Sequence, residues 1–247
     1  MITLKNADQI AKMRRAGHLL DEVLTQVCAA VAPGVTTKQL DHLAEKLIRQ
    51  AGAKPSFLGY QGFPASLCTS VDSIVVHGFP DNHPLREGSI VGLDCGLILD
   101  GWQSDMARTV CVGNVSAQAK RLVEVTKQCF FEGLAFCKVG YRLGDVSNAI
   151  ERCAHNAGYS VVRALCGHGI GRAMHEDPEV PNFGEAGHGV RLRPGMTLAI
   201  EPMINEGGWE VDIDGWHVVT EDGSLSAHYE NTVLITAGEP EILSMRS

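Results

Sequence analysis

No run in this chain is apolar and long enough for a signal peptide or a membrane span. Lys5, Asp8, Lys12, Arg14 and Arg15 interrupt the N-terminal region before one can build up. The expected location is the cytoplasm, with no membrane partner. Basic residues are scarce: 21 Lys and Arg face 29 Asp and Glu, for a net charge of −8. That balance argues against a general affinity for nucleic acid or anionic lipid. The segment from Glu206 to Asp222 is the extreme case, holding six acids and no Lys or Arg; if it borders the functional site, it should keep the protein from docking on ribosomal RNA. Paired cysteines are also missing. The eight cysteines stand singly, none in Cys-x-x-Cys, and several lie inside apolar runs, as small buried hydrophobes do in a reducing compartment. No segment is of low complexity and none reads as a linker, although 247 residues could form one large domain or two small ones.

The chain resembles itself. From Gly34 to Gly140 and from Gly52 to Gly158 the offset is 106 residues, and each stretch runs from a glycine turn through a helical pattern to Ala-Gly. Leu85-Arg-Glu-Gly-Ser-Ile-Val-Gly-Leu-Asp94 aligns with Leu192-Arg-Pro-Gly-Met-Thr-Leu-Ala-Ile-Glu201 at an offset of 107. An acid ends both apolar runs. An internal duplication favours a single domain, residues 1–247, with pseudo-repeats at roughly 8–112 and 117–236.

Periodicity predicts helices over about Asp8 to Val31, Thr36 to Gly52 with a Thr36/Gln39 capping box, Ala117 to Lys138, and from about Asp145 to Ala157. Strands are expected near Ser66 to Ser70, Ile90 to Leu99, Trp102 to Val112, Thr197 to Asn205, His217 to Thr220 and Tyr229 to Thr236. The pattern is α+β.

Asp100-Gly101 between two strand-like runs predicts a two-residue hairpin, which pairs Leu99 with Trp102, Gly96 with Asp105, and Asp94 with Ala107. Asp94 and Asp105 then share a face as diagonal neighbours, with no side chain at Gly96 to obstruct the space beside them. Two strand aspartates on one face ask for a cation, unless that face is solvated. Asp94, Glu201 and Glu230 each adjoin an apolar run, where an unpaired carboxylate would cost several kcal/mol. If Asp94, Asp105, Glu201 and Glu230 meet with His168, four negative charges converge and two divalent cations would balance them. Mostly oxygen donors with one imidazole suit Mn, Fe, Co or Zn without selecting among them. His168 and His175 lie in Cys166-Gly-His-Gly-Ile-Gly-Arg-Ala-Met-His-Glu-Asp-Pro178, a run that alone is compatible with an open, flexible polar loop.

Five motifs in order now resemble a known family: Val76-His77-Gly78-Phe79-Pro80, the Asp94/Asp105 hairpin, Gly-His-Gly-Ile-Gly-Arg-x-x-His-Glu-x-Pro, Pro194-Gly-Met-x-x-x-Ile-Glu-Pro-Met203, and Ser226-Ala-His-Tyr-Glu230-Asn-Thr. Together they are similar to the type I methionine aminopeptidases of the M24 metallopeptidases, across nearly the whole chain. The resemblance implies an α+β "pita-bread" fold with two pseudo-symmetric α/β halves and a mainly antiparallel curved sheet. It implies removal of N-terminal methionine from peptides and nascent proteins by a metal-held hydroxide, acting as a monomer. Asp94, Asp105, His168, Glu201 and Glu230 would hold two divalent ions (Co, Mn, Fe or Zn), with a structural monovalent cation in addition. Asp105 and Glu230 would bridge the pair, and Glu201 would double as general base. His77 and His175 would hydrogen-bond the substrate, and Asp94 would help anchor its α-amine. Tyr60, Phe63, Cys68, Met174 and Trp216 would line the methionine pocket, with Phe57 at its edge; each could equally be core. Gly96, Gln61 and Asp72 depart from the usual pattern, and Ser104-Asp-Met-Ala-Arg-Thr109 looks like the proline-specific branch. A proline-directed aminopeptidase or dipeptidase and a non-catalytic peptide-binding paralogue are the rival readings.

Overall fold

Asn6 and Thr36 start the first two helices in the same way. Each side chain accepts the amide of the residue three positions on, Gln9 or Gln39, whose own side chain returns to the cap amide. These boxes open α1 (Ala7–Ala29) and α2 (Thr37–Gln50) in the computed structural model, which describes residues 1–246. Ser116 caps α3 (Ala117–Leu134), and α4 (Leu143–Asn156) begins where Asp145 accepts the Arg142 amide. α3 ends four residues before the expected Lys138, because the chain tightens into shorter bonds, Phe136 N–H to Gly133 O and Cys137 N–H to Leu134 O. Among the described residues no helix is long and apolar enough to cross a membrane.

The strands are β1 (Lys54–Pro55), β2 (Leu67–Val71), β3 (Ile74–Val76), β4 (Ile90–Leu99), β5 (Trp102–Cys111), β6 (Ser160–Val161), β7 (Gly167–Gly169) and β8 (Glu176–Val180). They continue as β9 (Thr197–Ile200), β10 (Met203–Asn205), β11 (Val211–Asp214), β12 (His217–Thr220), β13 (Ser226–His228), β14 (Glu230–Leu234) and β15 (Glu241–Ile242). A nine-stranded sheet runs β1-β4-β5-β14-β9-β7-β8, with β2 added to β4 and β15 to β14. Its pairs are antiparallel. Two three-stranded sheets, β13-β10-β6 and β11-β12-β3, complete the α+β architecture.

The β4–β5 hairpin has the register expected from Asp-Gly: Leu99 opposes Trp102, Gly96 opposes Asp105 and Asp94 opposes Ala107. Asp100 (φ 52°) and Gly101 (φ 76°) both take the left-handed conformation that a type I′ turn requires. Helices α1 and α2 bury Leu20, Leu24, Leu40 and Ile48 against Leu93 and Leu97 of β4. Each such side chain contributes roughly 1.5–3 kcal/mol. Helices α3 and α4 do the same for the other half with Leu122, Phe130 and Ile150.

One expected strand is broken and another gains a neighbour. The run Thr197 to Asn205 divides into β9 and β10 because Pro202 has no N–H to continue a ladder, and the chain passes there from the large sheet to a small one. The strand expected from Tyr229 begins at Glu230 as β14, and Tyr229 separates it from an unexpected β13, its amide bonding Pro202 O at 3.2 Å. Glu201 and Glu230 therefore flank two sheet corners that lie against each other.

Candidate metal centre and apolar pocket

Strand register gathers the acids into two rows. Cys68 opposes Asp94, Asp94 opposes Ala107, and Ala107 opposes Glu230, forming one row across β2, β4, β5 and β14. In the next row Gly96 opposes Asp105, while Thr232 opposes Ala199 and Ala199 opposes His168. The Thr232 hydroxyl joins the two parts of that row, accepting from Asp105 N at 3.1 Å and donating to Asp105 O at 3.0 Å. Residues two apart on a strand share a face, so Asp94, Asp105, Glu230 and His168 converge on one side of the sheet. Donor atoms of Asp105, His168 and Glu230 all lie within 4.8 Å of one another, and all three residues are buried. From its corner, Glu201 brings Oε1 to 3.6 Å from His168 Nε2.

His168 is not in an open loop. It lies in strand β7, 8 % exposed, and its flanking glycines are there for backbone approach rather than freedom. A Cβ at Gly167 would stand 2.3 Å from Ala199 O, and one at Gly169 would stand 2.2 Å from Asp177 O. The His168 Nδ1–H donates to Gly169 O at 2.9 Å, which leaves Nε2 free to use its lone pair. Burial, aided by nearby His175, holds the ring down at about 4, so it stays neutral, as a metal ligand must be.

The carboxyls show the strain of convergence. Burial pushes Asp94 up to about 7, although its hydrogen bond with Asp105 opposes the shift. Burial and the charges of Glu230 and Asp94 raise Asp105 further. Glu201 and Glu230 are raised by burial first and by neighbouring carboxylates second. Asp94 Oδ1 and Glu230 Oε1 are buried without a hydrogen-bond partner. A divalent cation would satisfy both orphaned oxygens and reverse every one of these shifts, so the donor set fits such an ion.

Above the acids is a pocket of about 150 Å³, bounded by Phe57, Tyr60, Phe63, Cys68, Met174 and Trp216 on its apolar side and by Asp94, Asp105, His168, Glu201 and Glu230 at its base. All six expected wall residues are present, and Phe57, Phe63, Cys68 and Met174 also belong to one buried cluster, so pocket and core coincide there. Trp216 reaches the pocket from the turn of the exposed, acidic β11–β12 hairpin and stacks edge-on against Phe63. His77 and His175 also line the pocket. His77 has φ 60°, a strained value for a residue with a side chain, and its ring meets Trp216 edge-on at 5.3 Å. Burial and nearby His175 hold it at about 4. His175 Nδ1 lies 2.7 Å from the Tyr60 hydroxyl, and burial lowers its pKa.

One residue here escaped the sequence reading. His228 is 3 % exposed, with Nε2 unpartnered at 3.8 Å from Glu201 and 3.9 Å from Glu230. Burial, with the charges of His77 and Arg108, holds it at about 3, so these are contacts of a neutral ring. Periodicity gave no signal for it, because the strand breaks at Tyr229 and alternation does not carry from His228 in β13 to Glu230 in β14. Arg108, by contrast, faces away. Its guanidinium donates to Ala107 O, Glu230 O and Asn231 Oδ1 and stacks over Tyr229, so within the Ser-Asp-x-x-Arg-Thr run Asp105 faces the pocket while Arg108 serves the β5–β14 seam. Asp72 is likewise structural, accepting from Ser89 Oγ and Ile90 N at the start of β4.

Buried acids and a neutral histidine beneath a side-chain-sized pocket define a metallopeptidase site, and the chain belongs to metallopeptidase family M24, whose model matches residues 11–237. Its similarity is to the methionine aminopeptidases within that family. The methionine aminopeptidase of Clostridium perfringens is 53 % identical over 99 % of both chains. The crystal structure of methionine aminopeptidase from Rickettsia prowazekii superposes with a TM-score of 0.98 at 42 % identity, covering 99 % of this chain and 100 % of that one. That from Thermotoga maritima gives 0.97 at 42 % identity with both chains fully covered. These neighbours share the pita-bread fold of two pseudo-symmetric halves.

Proposed function

We propose that this protein removes the N-terminal methionine from peptides and nascent proteins in a metal-dependent hydrolysis. The observation that carries the reading is the clustering of Asp105, His168 and Glu230 at the base of a pocket with room for one apolar side chain. Asp94, Asp105, His168, Glu201 and Glu230 would hold two divalent ions, which would supply Lewis acidity for the scissile carbonyl and for water.

The chain's own residues do the rest. Asp94, at the edge of the acid cluster beside Cys68, anchors the substrate's free α-amine. Anchoring both the amine and the methionine side chain puts the first peptide bond, and no later one, over the acids. Glu201, 3.6 Å from His168 Nε2 at the base of the pocket and ionised once cations offset the neighbouring carboxylates, takes the proton of the attacking water and passes it to the leaving amine. His77 and His175, neutral through burial, donate hydrogen bonds to the scissile amide and to the oxygen that gains charge. The Tyr60 hydroxyl bonded to His175 Nδ1 orients that ring.

Parallel assays on Met-Ala and Xaa-Pro peptides, after chelation and then with divalent cation added back, test the proposal. Release of methionine that returns only with the cation supports it. Cleavage confined to bonds preceding proline would assign the chain to the proline-directed branch, and no cleavage with any cation would favour a binding role.

A further inference from the structure

Lys5 is a buried cation with no part in the chemistry above. Its side chain is 2 % exposed, and its Nζ lies 2.6 Å from Glu176 Oε2, a carboxylate that is itself 15 % exposed. The other oxygen, Glu176 Oε1, accepts from the backbone amides of Arg172 at 2.9 Å and Ala173 at 3.2 Å. One carboxylate thus ties a buried lysine to the turn that carries Met174 and His175. Gly171, at the start of that turn, is where the pair packs directly on the backbone: a Cβ there would meet Glu176 Oε1 at 2.5 Å and Lys5 Cε at 2.7 Å. The turn is also held by Gln103 N–H to Gly171 O at 2.8 Å, and the Lys5 backbone is itself fixed by Lys5 N–H to Gly195 O at 2.7 Å.

We propose that Lys5 is a positioning residue for the reaction, acting through Glu176 to hold Met174 against the substrate side chain and His175 against the scissile bond. This rests on the roles given to Met174 and His175 in the proposed function. The physical reason lies in the burial of the pair. Removing the lysine leaves the Glu176 carboxylate without a counter-charge, and an unpaired buried charge is expelled toward water. The carboxylate would then leave the two amides it caps, and the turn would lose its shape. Removing both charges while keeping the acceptor is different. In Lys5→Met with Glu176→Gln, the amide oxygen can still accept from Arg172 and Ala173, and nothing charged is left buried.

The test compares Lys5→Met, Glu176→Gln and the double variant, all metal-loaded, by steady-state kinetics, cation binding and amide hydrogen exchange. In Lys5→Met we expect kcat on a Met-Ala peptide to fall by about 10²-fold, the scale of an angstrom-sized misplacement of a catalytic group. Cation affinity should change by far less than kcat, because the four metal acids lie outside the β7–β8 turn and only His168 adjoins it. The double variant should recover most of the lost kcat. Exchange at Arg172 and Ala173 should speed up in Lys5→Met and return toward wild type in the double variant. This last readout needs no turnover, so it separates failure of the inference from failure of the aminopeptidase reading. Wild-type kcat and KM in Lys5→Met with only a lowered melting temperature would overturn the proposal, as would a double variant no better than the single.

Discussion

Gly96 stands opposite Asp105 in the β4–β5 ladder, and the space above its missing side chain is filled by the edge of Phe57. A Cβ at Gly96 would lie 2.8 Å from Phe57 Cε1, 3.0 Å from Ser56 Cβ and 3.2 Å from Met174 Cε. Two walls of the pocket meet over this glycine. The missing side chain at Gly96 leaves room for the large residue at position 57.

Gly96→Thr should therefore push the Phe57 ring and the Met174 methyl into the pocket. We expect KM for methionyl peptides to rise, with a smaller first residue such as norvaline losing less. Phe57→Ala should act in the opposite sense, gaining relative activity on leucyl or phenylalanyl peptides. The ratio of kcat/KM across these peptides is the measurement, and an unchanged order in both variants would contradict the account.

His168 is the nitrogen donor among the clustered residues. His168→Ala should reduce turnover to background and weaken cation binding, measured by calorimetry on the chelated protein, by about 10-fold or more. Turnover within a few-fold of wild type would refute its assignment as a ligand.

Without cations, the raised carboxyls make stability depend on pH in a defined direction. An acid whose folded pKa is raised keeps its proton while the unfolded chain loses one, so stability falls as pH rises above about 4, and for Asp94 the fall continues to about 7. Between pH 5 and pH 7 the melting temperature of the chelated protein should fall relative to that of a chelated Asp94→Asn variant, which lacks this titration. Added divalent cation should raise the melting temperature more at pH 7, since it replaces the proton. Thermal scans with and without chelator check both statements.

His77 carries the opposite linkage. Its folded pKa of about 4 lies below the ordinary 6.5, so the unfolded state binds a proton first and stability is lost as pH falls from about 6.5 to about 4. Its ring resonances should titrate near 4 by NMR, and His77→Asn should flatten the acid side of the stability curve. A titration midpoint at 6.5 would show the ring to be solvated.

Much of the site was legible because alternation is a geometric rule. Asp-Gly at 100 and 101 set the hairpin register, and the register placed Asp94 and Asp105 on one face with Gly96 between them and the pocket walls. The adjoining apolar runs marked Glu201 and Glu230 as buried acids. The sheet corners at Pro202 and Tyr229 were less legible, because a change of sheet depends on which partner lies alongside, and periodicity carries no partner information. The same limit concealed why Gly167 and Gly169 are glycines: the atoms they make room for, Ala199 O and Asp177 O, are distant in sequence or bend back through a turn. Lys5 and Glu176, 171 positions apart, left no pattern to read.

The most direct test of the central claim is mass spectrometry of one peptide beginning Met-Ala, digested with chelated and cation-restored protein and compared with its N-acetylated form. The account predicts loss of a single methionine, only with cation present and only from the free amine. Cleavage that persists in chelator, proceeds from the acetylated peptide or falls at an internal bond would contradict it.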